Sequence, residues 1–195
     1  AIFSHALRQC RVCDAVDQDH SACWAEMERI FDRELAGTKG HNFEFSTLAA
    51  AYLPNLEYLS KHWLTTHVKE IFREEYADNF DAAIGGLAYA DATKNNYLML
   101  LDAGIIDAAQ RRYQGKAKFE DRLVERIALA YLWGVEELHS PRFDWWFESK
   151  DTAALRIVSH FYWSVRKHEL SDTQVARILD FWRFCVDYSQ NHIDS

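Results

Sequence analysis

Four residues near the start of the chain are of the types that bind transition metals. Cys10 and Cys13 are separated by two residues, as are His20 and Cys23. Thiolates and imidazoles are the ligands that Zn²⁺ prefers, and two such pairs can hold one tetrahedral ion. The six residues between the pairs match no common zinc finger or knuckle. The alternative is that the cysteines are small buried apolar groups and that His20 lies at the entrance of a helix.

The other histidines offer candidates for acid–base chemistry but form no recognised motif. His62 and His67 are five residues apart, so they do not share one face of a helix, and the sequence has no H-E-x-x-H pattern. Glycine-rich phosphate loops and the G-x-S-x-G motif of acyl transfer are also missing. We therefore expect no catalytic residues. The alternative is a hydrolase whose pocket between helices gathers His62, His67 or His160 with carboxylates.

Aromatic residues make up 14% of the chain, and their densest cluster contains Phe143, Trp145 and Trp146. Trp and Tyr provide large contact areas with few torsions to restrict, which suits protein interfaces. We expect this cluster to lie on a short loop-like segment, with at least one of Trp145 and Trp146 facing outward, and to contact a partner. The alternative is packing between helices, which we favour for Phe161 and Trp182.

A basic segment offers a second candidate contact. Arg111 and Arg112 are followed by Lys116 and Lys118, on either side of a glycine. These four cations could bind a phosphate group or an acidic partner, and the alternative is a solvated turn. We include Arg111 and Arg112 with the aromatic cluster as predicted partner-binding residues.

The composition limits the class of protein. Of 195 residues, 49% are apolar and 27% are charged, which is typical of a globular chain. The net charge of −8 argues against general binding to nucleic acids, because that affinity comes from Lys and Arg. No apolar run is long enough to span a membrane. Four cysteines are too few for a secreted disulfide scaffold, so we expect a reducing cytoplasm.

We expect a single all-helical domain over residues 1–195, cut from a longer protein. The chain starts without Met in helix-like sequence, and it lacks the basic flank and apolar region of a signal peptide. The glycine-bearing stretch 37–42 is the one candidate domain boundary, and it is too short to divide the chain.

Helical periodicity recurs from one end of the chain to the other, and no segment alternates as a half-buried strand would. The pattern predicts about eight to eleven helices, stacked as antiparallel pairs in a degenerate HEAT-like α-solenoid or in an irregular bundle. Apolar stripes predict the buried faces of the last three helices: Leu123, Ile127, Ala130 and Tyr131; Leu155, Val158, Phe161, Tyr162 and Val165; and Val175, Ile178, Leu179, Trp182 and Cys185.

Individual residues predict local features of these helices. Pro54 must either kink a helix or start a new one, because it has no N–H to donate. The Gly85–Gly86 pair indicates that a neighbouring helix packs closely against it. Ser46 is predicted to cap a helix, and Ser171 with Gln174 forms a capping-box pattern.

Several short motifs follow one another between about Phe45 and Tyr188. They are His62-Trp63-Leu64, Ile71-Phe72, Ala82-Ala83-x-x-Gly86, Tyr97-x-x-Leu100 with Ile105, Leu123 to Gly134, and Phe181-Trp182-Arg183. Their order resembles the uncharacterised helical C-terminal domain of large bacterial proteins, some with a sirtuin-like or P-loop NTPase module upstream and linked to defence. Ile84 departs from the Trp that such families often have. The resemblance implies a HEAT-like scaffold or sensor attached to an effector, and it transfers no catalytic residue.

The expected function is a non-catalytic helical scaffold or sensor that mediates protein–protein interaction within a larger bacterial protein. Its partner would be another protein or another domain of the same longer chain, and self-association is a further option. We expect no cofactor and no membrane contact. The alternatives are the hydrolase described above and a zinc-stabilised regulatory domain built on Cys10, Cys13, His20 and Cys23.

Overall fold

A computed structural model describes residues 2–37, 42–113 and 120–192, and within these ranges the chain is entirely α-helical. The prediction of an all-α fold is confirmed. Lys116, Lys118 and residues 38–41 of the candidate boundary lie outside the described residues. The eleven helices of the described ranges are α1 (Ile2–Asp17), α2 (Ser21–Gly37), α3 (Phe43–Ala51), α4 (Leu53–Ile71), α5 (Ala77–Leu87), α6 (Lys94–Asp102), α7 (Ile105–Tyr113), α8 (Glu120–Leu132), α9 (Pro141–Glu148), α10 (Thr152–Val165) and α11 (Asp172–His192).

The chain forms two compact units, Ala1–Ala109 and Gln110–Ser195, and the division falls within α7. The expectation of a single domain and that of a HEAT-like array stay predictions. No helix among the described residues combines the length and apolar character that a membrane crossing requires.

Aromatic rings fill the core of the first unit where α1, α2 and α4 meet. Phe31 is completely buried, and its ring centroid lies 5.0 Å from that of Phe3 and 5.6 Å from that of Trp63. Trp24 packs against the same ring at 5.2 Å. The Trp63 indole N–H donates to Asp32 Oδ1 at 2.7 Å, so its polar atom has a partner.

Helices α3 and α5 pack closely against each other in the first unit. Gly86 permits this approach, because a Cβ added there would overlap the backbone carbonyl group of Thr47. The close contact predicted at the glycine pair is thus confirmed at Gly86. Ser46 does not cap a helix, contrary to the prediction. Its buried hydroxyl donates to Asn79 Oδ1 at 2.8 Å, and Asn42 caps α3 instead.

Helix α4 begins at the residue before Pro54, so this proline starts a new helix, one of the two predicted outcomes. The helix is interrupted at Ser60, which has φ −161° and ψ 101°. The backbone N–H of Trp63 donates to Ser60 Oγ at 3.1 Å, as at the start of a helix. The interruption matters because the carbonyl of Leu59 accepts a side-chain hydrogen bond described below.

The second unit is built around α8 and α10. The predicted stripe of α8 is confirmed, and that of α10 is confirmed in part, because Leu155, Phe161 and Val165 are only half-buried. Leu123, Ile127 and Tyr131 of α8 are buried, as are Val158 and Tyr162 of α10. The Tyr162 hydroxyl donates to the carbonyl of Ala128 at 3.1 Å.

The predicted buried stripe of α11 is wrong in part. Phe181 is completely buried, and its ring lies 5.0 Å from that of Tyr162. Val175, Leu179 and Trp182, predicted to be buried, are 44%, 48% and 39% exposed. The helix has apolar residues on two faces, and the face with the larger number of aromatic rings packs against the rest of the unit.

The start of α11 matches its predicted capping box. The Ser171 backbone N–H donates to Gln174 Oε1 at 3.0 Å, and the Gln174 N–H donates to Ser171 Oγ at 3.3 Å. These two reciprocal bonds satisfy amide groups that the first turn of a helix leaves without partners.

Replacing Gly86 by Ala should destabilise the first unit by about 1–3 kcal/mol, because α3 must move away from α5 to accept the methyl group. Thermal and urea unfolding followed by circular dichroism measure the loss. Gly37→Ala is the matched control, since a Cβ there makes ordinary contacts of 3.5 Å with Asn42. Equal stability of the two variants would contradict the close approach at Gly86.

Candidate functional site

The predicted aromatic cluster lies on helix α9, not on a loop-like segment. Phe143 and Trp146 are 0% and 2% exposed, so they belong to the core of the second unit and are not available to a partner. This corrects their predicted role. Trp145 is 36% exposed and is the member of the cluster that a partner can reach. The cause is helical geometry, which points Trp145 and Trp146 in different directions.

The two predicted arginines lie in the last turn of α7. Arg111 is exposed and Arg112 is half-buried. Cations in the last turn of a helix interact favourably with its dipole, which gives both residues a role in stability. Their role in binding a partner stays a prediction.

The largest regular group of exposed apolar side chains in the second unit lies along α11, and we call it the α11 strip. It consists of Val175, Leu179, Trp182 and Val186, which are between 39% and 52% exposed. Their spacings of four, three and four residues place them on one side of the helix over about 16 Å. A series with a mean spacing near 3.5 residues is the pattern by which one helix packs along another.

Arg177 holds α11 in place on the side opposite to solvent. Its Nε donates to the carbonyl of Tyr131 at 2.5 Å, and its guanidinium also donates to the carbonyl of Glu136. The guanidinium lies 4.1 Å from the centre of the Tyr131 ring. In return, the Tyr131 hydroxyl donates to the Arg177 carbonyl at 2.9 Å. Arg177 thus adds a donor to the Tyr131 carbonyl in the last turn of α8, which also accepts from the Gly134 N–H at 2.9 Å, and reaches the segment after α8 at Glu136.

The end of α11 is fixed by a second set of contacts. Phe184 packs edge-on against Phe147 of α9, with ring centroids 4.7 Å apart. The Tyr188 hydroxyl donates to the carbonyl of Phe147 at 2.7 Å. These contacts, with Phe181 and Arg177, determine that the α11 strip faces outward.

The charged residues that flank the α11 strip are mixed in sign. Arg183 donates to Asp180 at 2.9 Å, and both side chains are largely exposed. Asp187 is also exposed. Such an exposed pair contributes at most about 1 kcal/mol to stability. It borders the apolar strip with polar groups, as the rim of an interface does.

The structure does not bring the four predicted zinc ligands, three thiolates and one imidazole, together. Cys13 and Cys23 form a disulfide with a Cα–Cα distance of 6.8 Å. Cys10 is fully buried with a free thiol, as the apolar alternative predicts, and burial, followed by the charge of Asp14, raises its pKa. Among the described residues, no group of three His, Cys, Asp or Glu side chains is placed to hold a metal ion.

His20 has a structural role at the turn between α1 and α2. Its Nδ1 lies 2.8 Å from Asp14 Oδ1, and its Nε2 lies 3.0 Å from the carbonyl of Leu59, next to the interruption in α4. Both partners are acceptors, so both contacts are hydrogen bonds when the ring is protonated, and they favour the imidazolium form. Burial alone would lower the pKa of His20, but the hydrogen bonds to Asp14 and Leu59 outweigh it and raise the pKa.

Asp14 completes this arrangement, because it also accepts a hydrogen bond from the Tyr58 hydroxyl. The bonds from Tyr58 and then from His20 lower the pKa of Asp14. The same bond to Asp14 raises the pKa of Tyr58 to about 12. The cluster therefore links the α1–α2 turn to α4 as an ion pair, and Asp19 is the other carboxylate that acts on His20.

The histidines considered for catalysis have different surroundings. His62 is exposed. His67 Nδ1 lies 2.7 Å from Glu70 Oε1. His160 borders an open groove of about 270 Å³ in the second unit, lined also by Asp121 and Glu125. Of the three histidines, His160 is the one that lines a described cavity together with two carboxylates.

Comparisons of the chain with protein-family models, with curated protein sequences and with solved structures give no match. The fold places the chain among all-α proteins. The family resemblance of the sequence motifs stays a prediction. A function must therefore be inferred from the residues and their geometry.

Apolar periodicity predicts Val175, Leu179 and Trp182 to be buried, so the α11 strip is not found from the sequence. A signal was present, since Phe181, Phe184 and Tyr188 form a second apolar face on the same helix. A helix that is apolar on two faces is either buried on both or covered by a partner on one.

The His20 ion pair makes the stability of the first unit depend on pH. The pKa of His20 is raised above its ordinary value of 6.5. The contribution of the His20 ion pair to the free energy of unfolding is therefore complete below pH 6.5 and is lost as pH rises through the raised pKa. The free energy of unfolding of the native chain should therefore exceed that of His20→Gln at pH 5.5, and the difference should shrink by pH 8.5. Urea unfolding at each pH measures it.

His62→Gln is the control for this prediction, because its side chain is exposed on α4. Its stability should follow that of the native chain at every pH. A constant difference between His20→Gln and the native chain would show that His20 acts by packing and not by its charge.

Proposed function

We propose that the chain is a non-catalytic helical module that binds an amphipathic helix of a protein partner along the α11 strip. The observation that carries the proposal is the series Val175, Leu179, Trp182 and Val186, exposed at helix-packing intervals on a helix whose other face is firmly anchored. A partner helix supplies apolar side chains at the same mean spacing, which a strand or a loop does not.

The energetics favour a transient interaction. Fully burying such side chains contributes about 1.5–3 kcal/mol each, and roughly half of that remains to be gained here. Four side chains then contribute roughly 4 kcal/mol before the cost of association is subtracted, so the strip by itself supports only weak binding. Trp182 would be the main anchor, because Trp is enriched among the residues that dominate binding energy. Trp145 and Arg111 are the predicted contacts that remain at the surface and can add to the affinity.

The context of this module is also a proposal. The motif resemblance supports a HEAT-like scaffold or sensor within a larger, defence-associated bacterial protein. The low cysteine content supports a cytoplasmic location. The Cys13–Cys23 disulfide argues for an oxidising compartment instead, because such pairs are kept as thiols in a reducing cytoplasm.

A hydrolase is the second candidate function, and the groove at His160 is the observation that favours it. The groove places a histidine near Asp121 and Glu125. Glu125 is engaged by Arg122 at 3.0 Å, and His160 and Asp121 are exposed to water. Water screens charges in such an open site, whereas catalytic groups work best where water is excluded. We therefore rank this function below partner binding.

Partner binding is tested by photo-crosslinking from the side of the α11 strip. Ala176, which is exposed, is replaced by p-benzoylphenylalanine, and the crosslinked peptide is identified by mass spectrometry. We expect a segment of another protein whose apolar residues recur every three to four positions. The additional substitutions Leu179→Ser and Trp182→Ser should reduce the yield about tenfold or more, because they remove the apolar contacts.

Tyr89→Ser is the matched control, because it removes an aromatic side chain that is 85% exposed in the first unit. Its crosslinking yield should equal that of the native strip. Crosslinks to α11 of a second copy of the chain would indicate self-association and would contradict binding to a different protein. Equal yields with and without the serine substitutions would contradict the role of the strip.

The hydrolase alternative is tested with p-nitrophenyl esters and phosphates. Turnover that is lost in His160→Gln and kept in His168→Gln, an exposed histidine of the same unit, would support it. We expect no turnover above the buffer rate in either variant or in the native chain. This outcome would count against the hydrolase, and the crosslinking experiment would still decide on partner binding.

A further inference from the structure

A cleft of about 420 Å³ lies in the second unit between α9, α10 and α11. Its volume is within the range of small-molecule sites. Phe147 is buried at one wall, and the half-buried side chains of Leu155, Cys185 and Tyr188 form the others. The Tyr188 hydroxyl already donates to the Phe147 carbonyl, so the interior offers mainly apolar surface.

Two cations stand at the edge of this cleft. They are Lys150 and Arg156, both exposed, and neither has an ion-pair partner among the residues that the structure describes. No Asp or Glu belongs to the described lining. Arg156 also lines the groove that contains Asp121 and Glu125, whereas Lys150 lines only the cleft among the described cavities. The cleft therefore combines an apolar interior with positive charge at its edge.

The backbone at Lys150 is an independent observation. Lys150 has φ +53°, in the left-handed region that glycine adopts without penalty. It ends α9 in a Schellman arrangement, in which Asp151 N–H donates to the Trp146 carbonyl at 2.9 Å and Lys150 N–H to that of Phe147 at 3.2 Å. Glycine is the usual residue at this position, so a lysine stands where the backbone conformation alone favours glycine.

We propose that this cleft binds an aliphatic carboxylate, with the hydrocarbon chain against Phe147 and Leu155 and the carboxylate at Lys150. The apolar walls fit a hydrocarbon chain, because they offer few polar groups that a polar ligand would satisfy. An unpaired ammonium group selects a negatively charged head over a neutral or positive one. This site is separate from the α11 strip, so the proposal does not depend on partner binding.

Decanoate is the probe, below its micelle concentration, with decanol and decyltrimethylammonium for comparison. Isothermal titration calorimetry should show decanoate binding at least tenfold tighter than either analogue. Lys150→Gly should weaken decanoate binding about tenfold, the loss of one charge-assisted contact. The melting temperature of this variant should not fall, because glycine suits the backbone at that position. Weaker binding with an intact fold separates ligand contact from a structural role.

Two control variants make the result specific. Gln18→Gly makes the same backbone change at the end of α1, where φ is +56°, and should leave binding unchanged. Leu179→Ser removes part of the α11 strip and should also leave binding unchanged. Equal binding by Lys150→Gly and the native chain would overturn the proposal, as would loss of binding in Leu179→Ser.

Cys185 supplies a direct readout of the cleft. It is half-buried and lines the cleft, and burial raises its pKa to about 11. Alkylation of Cys185 by N-ethylmaleimide, followed by mass spectrometry, should slow at least fivefold in saturating decanoate. Unchanged alkylation would place the ligand elsewhere and overturn the proposal. Binding only to phosphatidylglycerol vesicles, without binding of free decanoate, would likewise overturn it.

Discussion

The burial of Phe181 is the constraint on which the surfaces of the second unit depend. Its ring is completely covered and packs against Tyr162, whose hydroxyl is bonded to α8. Once this side of α11 faces inward, Leu179 and Trp182 must face outward, because they lie about a third to a half of a turn from Phe181 around the helix. Arg177 fixes the same orientation by donating to the carbonyl of Tyr131 in α8 and to that of Glu136 in the segment after it. The exposure of the α11 strip is therefore a consequence of core packing and not a separate feature.

Much of the fold follows from local patterns in the sequence, and the exceptions have physical causes. Apolar periodicity predicts the buried faces of α8 and α10, and Gly86 predicts a close helix contact, because each depends on one helix and its nearest neighbour. On α11 the same reasoning fails, since periodicity cannot decide between two apolar faces. The choice depends on the fit of Phe181 against Tyr162, which is a property of the assembled core. Trp146 is a similar case, because burial of one of two adjacent tryptophans depends on the position of α9.

The chemistry of the first unit shows a second limit of sequence patterns. The spacing of Cys10, Cys13, His20 and Cys23 indicates metal ligands by type, but a ligand type does not determine the bonds that it makes. In the structure the end of α1 and the start of α2 come close enough for Cys13 to form a disulfide with Cys23. His20 instead forms hydrogen bonds with Asp14 and with the Leu59 carbonyl at the interruption of α4. That carbonyl is available only because the helix is interrupted at Ser60, which no residue spacing predicts.

The cleft and the α11 strip use different sides of one helix, and this has a consequence for how they influence each other. Cys185 lines the cleft, whereas Val186, the next residue, ends the strip. A ligand that fits the cleft only when α11 is docked stabilises the docked helix by RT ln(1 + L/Kd), where L is the free ligand concentration. The same docked helix presents the strip in a fixed direction. A cleft ligand and a strip partner that both require docked α11 would therefore favour each other's binding, without any change in the shape of the strip, and the coupling would be equal in both directions.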